Sequence, residues 1–170
     1  MFASERSRIQ HQDVNEIVAD MLAGVRPALG ASFVAMYLGG SLATGTFTPE
    51  TSDIDFVIVT EHSVSGAFAA KLRSAHERIT GSPSKWAKKL EILYVPMDTM
   101  RTRHASTQQC AYLGVGGSFA AAVPYQSDWI IQIHLVREHG VVVAGPAPKA
   151  LIGPITSEDL RSSCEAIMRD

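Results

Sequence analysis

The sequence predicts an α+β domain in which a small mixed β-sheet carries helices packed on it. The apolar patterns follow the order helix, strand, strand, helix, strand, helix, strand, which suits such a sheet. The composition is 46% hydrophobic and 19% charged, as in globular proteins rather than disordered or repetitive ones. At 170 residues the chain is long enough for one domain with its own core.

The helices are predicted from helically spaced apolar residues and from the residues that end each run. The first covers residues 9–29 and ends at Gly30, and the second covers 64–79, before the breaker "GSPS". The third covers 127–139. A further helix begins with Thr156 and Asp159, which form a capping-box pattern.

Four strands are predicted from short apolar runs rich in β-branched residues. They are "SFVAMYLG", "DIDFVIVT", "KLEILYVP" and "VVVAG". Residues 97–126 give no clear periodicity, and "GVGGS" at 114–118 indicates an irregular stretch. The predicted order of elements therefore has no strand in that stretch.

Charge and cysteine usage narrow the functional class. The net charge of −2 provides no basic field, so no nucleic-acid partner is expected. The two cysteines are far apart, which argues against a disulfide framework and a CxxC zinc site. No apolar run suits a signal peptide or a membrane helix, so we expect a cytoplasmic protein without a membrane partner.

Two aspartates lie at the start of the second strand. Alternation along a strand places Asp53 and Asp55 on one side, whereas Ile54, Phe56 and Ile58 point into the core. Two such carboxylates repel each other unless a cation lies between them, and Mg²⁺ prefers oxygen ligands of this kind. The pattern therefore predicts a magnesium site, although Asp53 alone could simply cap the preceding turn.

A Gly39-Gly40-Ser41 turn precedes these aspartates, with eleven residues between Ser41 and Asp53. Glycines allow the backbone to approach a phosphate closely, and a serine at the start of a short helix offers a hydroxyl and free N–H groups to an anion. Taken alone, Ser41 is also consistent with an ordinary turn, as Glu91 is with a surface charge.

The arrangement "GGS", eleven residues and "DID" resembles the signature of the nucleotidyltransferase superfamily related to DNA polymerase β. That family has a third carboxylate on a neighbouring strand, which Glu91 in "KLEILYVP" matches. Over most of residues 15–165 the chain is also similar to the N-terminal domain of bacterial aminoglycoside (streptomycin/spectinomycin) adenylyltransferases. The matching stretches are "YLGGSLATG", "SDIDFVIV", "LEILYVP" and "REHGVVVAGPAPKALIGPITSEDL".

The resemblance implies a polymerase β-like fold and an enzyme that uses ATP and Mg²⁺, with two metal ions, to transfer AMP to a small-molecule hydroxyl. By position, Asp53 and Asp55 would bind the metal. Ser41, the Gly40 backbone and Ser52 would bind the triphosphate. Glu91 would be either a metal-associated carboxylate or the general base. Aminoglycosides are the expected acceptors, which would make this an antibiotic-resistance enzyme.

The resemblance also predicts a domain division, with a catalytic domain at residues 1–155 and the start of a C-terminal helix at 156–170. In the family a C-terminal helical domain closes over the site. The expectation is therefore either a truncated chain or a stand-alone module completed by a helical partner or a second copy. Two other functions stay open, an antitoxin module of a toxin–antitoxin pair and a non-catalytic nucleotide-binding regulatory domain.

Overall fold

The computed structural model describes residues 10–102 and 109–169. Its centre is a six-stranded mixed sheet with the strand order β5-β4-β3-β2-β1-β6. The predicted mixed sheet with packed helices is therefore confirmed. The strands are β1 (Phe33–Leu38), β2 (Ile54–Thr60), β3 (Leu90–Pro96), β4 (Gln109–Leu113), β5 (Phe119–Pro124) and β6 (Val141–Ala144).

Seven helices are present in the described part of the chain. A single 3₁₀ turn, Gly30–Ser32, joins the first of them to β1. The helices are α1 (Gln12–Leu29), α2 (Gly40–Thr44), α3 (Gly66–Thr80), α4 (Met97–Thr102), α5 (Trp129–His139), α6 (Pro148–Leu151) and α7 (Ser157–Ile167). Helix α7 begins with the predicted capping box, in which Thr156 and Asp159 exchange side-chain to backbone hydrogen bonds.

The parallel pair β2–β3 organises the sheet. Every other pairing is antiparallel, and α3 is the crossover that parallel strands require. The register of this pair sets Asp55 directly opposite Glu91 and Val57 opposite Leu93. Residues so far apart in sequence thus become neighbours at the start of two adjacent strands.

Both faces of the sheet are covered, which explains why β2 is apolar from Phe56 to Val59. Ile54, Phe56 and Ile58 pack with α1 and α3, as predicted. The opposite face carries Val57 and Val59, and it forms a second core with residues of α5. Asp55 alternates with the residues of the first core and therefore lies at the rim of the face that α5 covers.

The stretch without clear periodicity contains α4, β4 and β5, so the sheet has six strands instead of the four predicted. Strand β5 reads "FAAAVP", and its alanines have a low intrinsic strand preference. Its conformation comes from antiparallel pairing with β4, which local composition does not specify. The predicted helices also begin two or three residues too early, since the observed starts are Gln12, Gly66 and Trp129.

Within the described residues, no helix combines the length and apolar character needed to cross a membrane.

Candidate active site

The glycine turn is fixed against the backbone and side chain of Asp55. The N–H of Gly39 donates to the carbonyl oxygen of Asp55 at 2.8 Å. Gly40 has a φ of +51°, and a Cβ atom added there would lie 1.8 Å from Asp55 Oδ2. Only glycine fits this position, because any side chain would occupy the place of the carboxylate. The turn therefore lies directly over Asp55, as the loop length predicts.

Asp55 is the carboxylate whose ionisation the fold disfavours most clearly. Its pKa is raised to about 6, first by burial and then by the negative charges of Glu91 and Asp53, in that order. Asp53 and Glu91 therefore each lie within electrostatic reach of Asp55. A cation bound at this cluster of like charges would reduce the repulsion between them.

Glu91 is held by two neighbouring side chains. Gln132 of α5 donates from Nε2 to Glu91 Oε1 at 3.4 Å. The Tyr112 hydroxyl of β4 also forms a hydrogen bond with Glu91. The pKa of Tyr112 is raised well above its ordinary value, first by burial and then by the charge of Glu91, so this phenol stays protonated and donates.

One face of α5 contacts each part of the site. Trp129 stacks on Tyr112 with ring centroids 5.8 Å apart, and Gln132 reaches Glu91. One turn further on, Val136 Cγ2 lies 3.1 Å from the position that a Cβ on Gly39 would occupy. Positions three and four apart share a helix face, so a single element supports the turn, the carboxylate and the tyrosine.

The two predicted serines differ in their surroundings. Ser41 lies in the first turn of α2, and no hydrogen bond of its hydroxyl is found within the described residues. The Ser52 hydroxyl oxygen accepts from the N–H of Thr48 at 2.9 Å, and the Ser52 N–H donates to the Thr48 carbonyl at 2.8 Å. Ser52 thus closes the loop before Asp53, and its role toward a triphosphate stays a prediction.

The donor chemistry fits Mg²⁺, since carboxylate oxygens are its usual protein ligands. However, no group of three or more histidine, cysteine, aspartate or glutamate residues within 10–102 and 109–169 is arranged to hold a metal ion. Mg²⁺ commonly takes only one or two protein carboxylates and completes its shell with water and substrate phosphates. The arrangement is therefore compatible with a two-carboxylate site rather than a preformed triad.

Two residues of the site, Tyr112 and Gln132, were not predicted from the sequence. Tyr112 lies in the stretch whose strands were not recognised. Gln132 did carry a signal, because it is a polar residue inside the apolar run "WIIQIHLV". A polar side chain on a packed helix needs a hydrogen-bonding partner, although sequence alone does not identify that partner as Glu91.

Comparison with known proteins identifies the kind of domain that contains these residues. Residues 28–105 match the model of the nucleotidyltransferase domain, and this range contains the Gly40–Ser41 turn, Ser52, Asp53, Asp55 and Glu91. The fold is similar to the crystal structure of spectinomycin adenyltransferase AAD(9) from Enterococcus faecialis with ATP and spectinomycin. The TM-score is 0.69 at 16% identity, over 88% of this chain and 63% of that one. At this identity the likeness establishes the fold.

A second solved structure, a toxin–antitoxin with AMP-PNP, aligns over 89% of this chain and 85% of its own at 14% identity. Its TM-score of 0.39 is too low to bear on this protein, so it adds no support for the antitoxin alternative. No curated protein sequence matches the chain significantly. The domain match over residues 28–105 and the similar fold both support the predicted nucleotidyltransferase superfamily.

Proposed function

We propose that this chain acts as a member of the nucleotidyltransferase superfamily. In this proposal it transfers AMP from ATP to a hydroxyl group of a small molecule. The observation that carries the proposal is the register of β2 and β3, which sets Asp55 beside Glu91 with the Gly40 turn against Asp55. A nucleotidyl transfer site needs this combination of a close-approaching backbone and clustered carboxylates.

In the proposed reaction, the acceptor oxygen forms a bond to the α-phosphorus of ATP. The bond from that phosphorus to the pyrophosphate oxygen breaks, and pyrophosphate leaves. Glu91 receives the proton of the acceptor hydroxyl, and its position opposite Asp55, which the Gly40 turn approaches, supports this role. A positioned base of this kind contributes about 10²–10⁴-fold to the rate.

Asp53 and Asp55 are the proposed metal-binding residues. When bound, Mg²⁺ would neutralise triphosphate charge and polarise the phosphoryl oxygens. The chain's own contribution is orientation, because Gly40 lets the backbone come close and Ser41 offers its hydroxyl. Ser52 is proposed to complete the phosphate contacts from the neighbouring loop.

An aminoglycoside-like acceptor is the leading candidate. Such molecules are polycationic, and the site carries several acidic groups. Asp128 is a further acidic group near the site, because its charge, like those of Glu91 and Asp55, contributes to the raised pKa of Tyr112. The similar fold of a spectinomycin adenyltransferase supports the same choice. That enzyme's chain is longer, with 63% of it covered, so its complete substrate site is not carried over.

The test is acceptor-dependent pyrophosphate release from ATP and Mg²⁺ across a panel of aminoglycosides, comparing the wild-type chain with Asp55→Asn. Mass spectrometry of the acceptor should detect one added AMP. We expect release with at least one acceptor and its loss in the variant. Release that persists unchanged in Asp55→Asn, or AMP found on no acceptor, would contradict the proposal.

A further inference from the structure

The orientation of Glu91 presents a physical problem. A glutamate side chain has several rotatable bonds, and ordering it has a substantial entropic cost. Glu91 also faces Asp55 across the strand pair, and after burial its charge is the next contribution to the raised pKa of Asp55. Repulsion alone would turn the Glu91 carboxylate away from Asp55. Something must therefore hold it in place.

Two donors from different elements supply that restraint. Gln132 approaches from α5 and Tyr112 from β4, and both meet the carboxylate of Glu91. Hydrogen bonds to a charged acceptor are stronger than those between neutral groups. Two donors arriving from two directions also fix the plane of a carboxylate better than one.

The donors are themselves restrained by packing. Trp129 is 2% exposed, stacks on Tyr112 and meets Tyr125 edge-on at 5.6 Å. Gln132 lies three residues after Trp129, on the same face of α5. The stacked ring of Tyr112 and the packed helix that carries Gln132 leave these two side chains little conformational freedom. Packing in the second core therefore also restricts the orientation of Glu91.

We propose that Gln132 and Tyr112 are positioning residues that hold the Glu91 carboxylate beside Asp55 in the orientation required for transfer. The inference rests on the proposed function, because it assigns Glu91 the part of the base. Neither residue is assigned contact with ATP or with the acceptor. Their removal should therefore lower kcat and leave the KM for ATP nearly unchanged.

The experiment is a double-mutant cycle on pyrophosphate release. Tyr112→Phe removes the hydroxyl and keeps the stacked ring, and Gln132→Met removes the donor and keeps the length. Each is made in the wild type and in Glu91→Gln. We expect kcat to fall about 10-fold to 100-fold in the wild type, as for a misplaced catalytic group. In the Glu91→Gln background, we expect each change to be less than about twofold, since no carboxylate remains to be positioned.

A matched control separates positioning from packing. Tyr125→Phe removes a hydroxyl from the same aromatic cluster, and Glu91 is not among the groups that raise the pKa of Tyr125. We expect its kcat to stay within about twofold of the wild type.

Gln132→Glu should be more harmful than Gln132→Met, because it replaces a donor with a second negative charge. Equal losses in both Glu91 backgrounds, with a matching drop in Tm, would overturn the proposal.

A second readout does not depend on turnover. The side-chain amide of Gln132 can be followed by ¹⁵N NMR in the wild type, in Glu91→Gln and in Glu77→Gln, which changes an exposed residue of α3. A shift of the Gln132 amide only in Glu91→Gln supports the contact, and its absence overturns the proposal. If no acceptor gives turnover while this shift is present, the proposed function fails and the restraint on Glu91 stands.

Discussion

Asp55 on β2 and Glu91 on β3 face each other directly in the parallel register. Adjacent strands are about 4.8 Å apart, so two carboxylates at such a pair interact strongly unless they are screened or neutralised. The two carboxylates differ in their surroundings. The carboxylate of Glu91 meets two hydrogen-bond donors, Gln132 and Tyr112, and Asp55, under the Gly40 turn, has its pKa raised to about 6.

The first prediction concerns the pH dependence that Asp55 imparts. Its pKa rises from 3.8 to about 6 on folding, so the folded state binds this proton more tightly. The resulting stabilisation is complete below pH 3.8 and is lost as the pH rises through 6. Asp55→Asn should therefore raise the free energy of unfolding by about 3 kcal/mol at pH 7 in metal-free buffer. Urea denaturation at pH 7 and pH 4 checks this, and an equal gain at both pH values would contradict it.

His76 should have the opposite effect. Its Nε2 lies 2.7 Å from the Tyr94 hydroxyl, and burial first and Arg73 second lower its pKa from 6.5 to about 4. The unfolded chain therefore binds this proton more tightly, and stability is lost as the pH falls from 6.5 through 4. His76→Gln should flatten the fall in unfolding free energy over that range, and the exposed His139→Gln serves as its control. A wild-type slope in the His76 variant would refute the assignment.

Gly40→Ala and Gly45→Ala form a matched pair. Both glycines have positive φ, +51° and +76°, so an alanine at either position costs about 1 kcal/mol in backbone strain. A Cβ at Gly45 meets no atom within 4 Å, whereas one at Gly40 collides with the Asp55 carboxylate. We expect Gly45→Ala to lower Tm slightly and keep pyrophosphate release, and Gly40→Ala to abolish release. Equal activities of the two variants would show that the approach of the turn to Asp55 is dispensable.

The three carboxylates should differ in their importance for turnover. Phosphoryl-type transfer depends mostly on positioning and charge neutralisation, so loss of a metal-binding aspartate is expected to be worse than loss of the base. Asp53→Ala and Asp55→Ala should both reduce kcat more than Glu91→Ala, for which about 10²–10⁴-fold is expected. Initial rates at saturating ATP decide the order. Similar losses in all three variants would argue against separate roles.

Magnesium should stabilise the protein without any substrate. The pKa of Asp55 is raised first by burial and then by the charges of Glu91 and Asp53, so a cation at Asp53 and Asp55 would stabilise its ionised form. Binding to the folded state raises Tm by mass action. We expect a concentration-dependent rise of Tm with MgCl₂ that is greatly reduced in Asp55→Asn. NaCl at equal ionic strength controls for general screening. The same rise in both proteins would place the metal elsewhere.

Much of the site is local in sequence and could be predicted from it. The alternation of side chains along the second strand places Asp53 and Asp55 on one side. The glycines before Ser41 indicate a turn. The capping box at Thr156 is equally local, because both of its hydrogen bonds lie within one helical turn. These features depend on neighbours a few residues away, and their physical causes are visible in the chain itself.

Tertiary structure alone decided the rest. Glu91 faces Asp55 because α3 returns the chain to a parallel strand, and the exact register depends on packing both faces of the sheet. Strand β5 forms through pairing with β4 that its own composition does not favour, and neither strand was predicted, so Tyr112 could not be placed in advance. The contact of Gln132 with Glu91 joins residues of a helix and a strand across the second core. Non-local pairing and burial determine such contacts, and local residue patterns do not encode them.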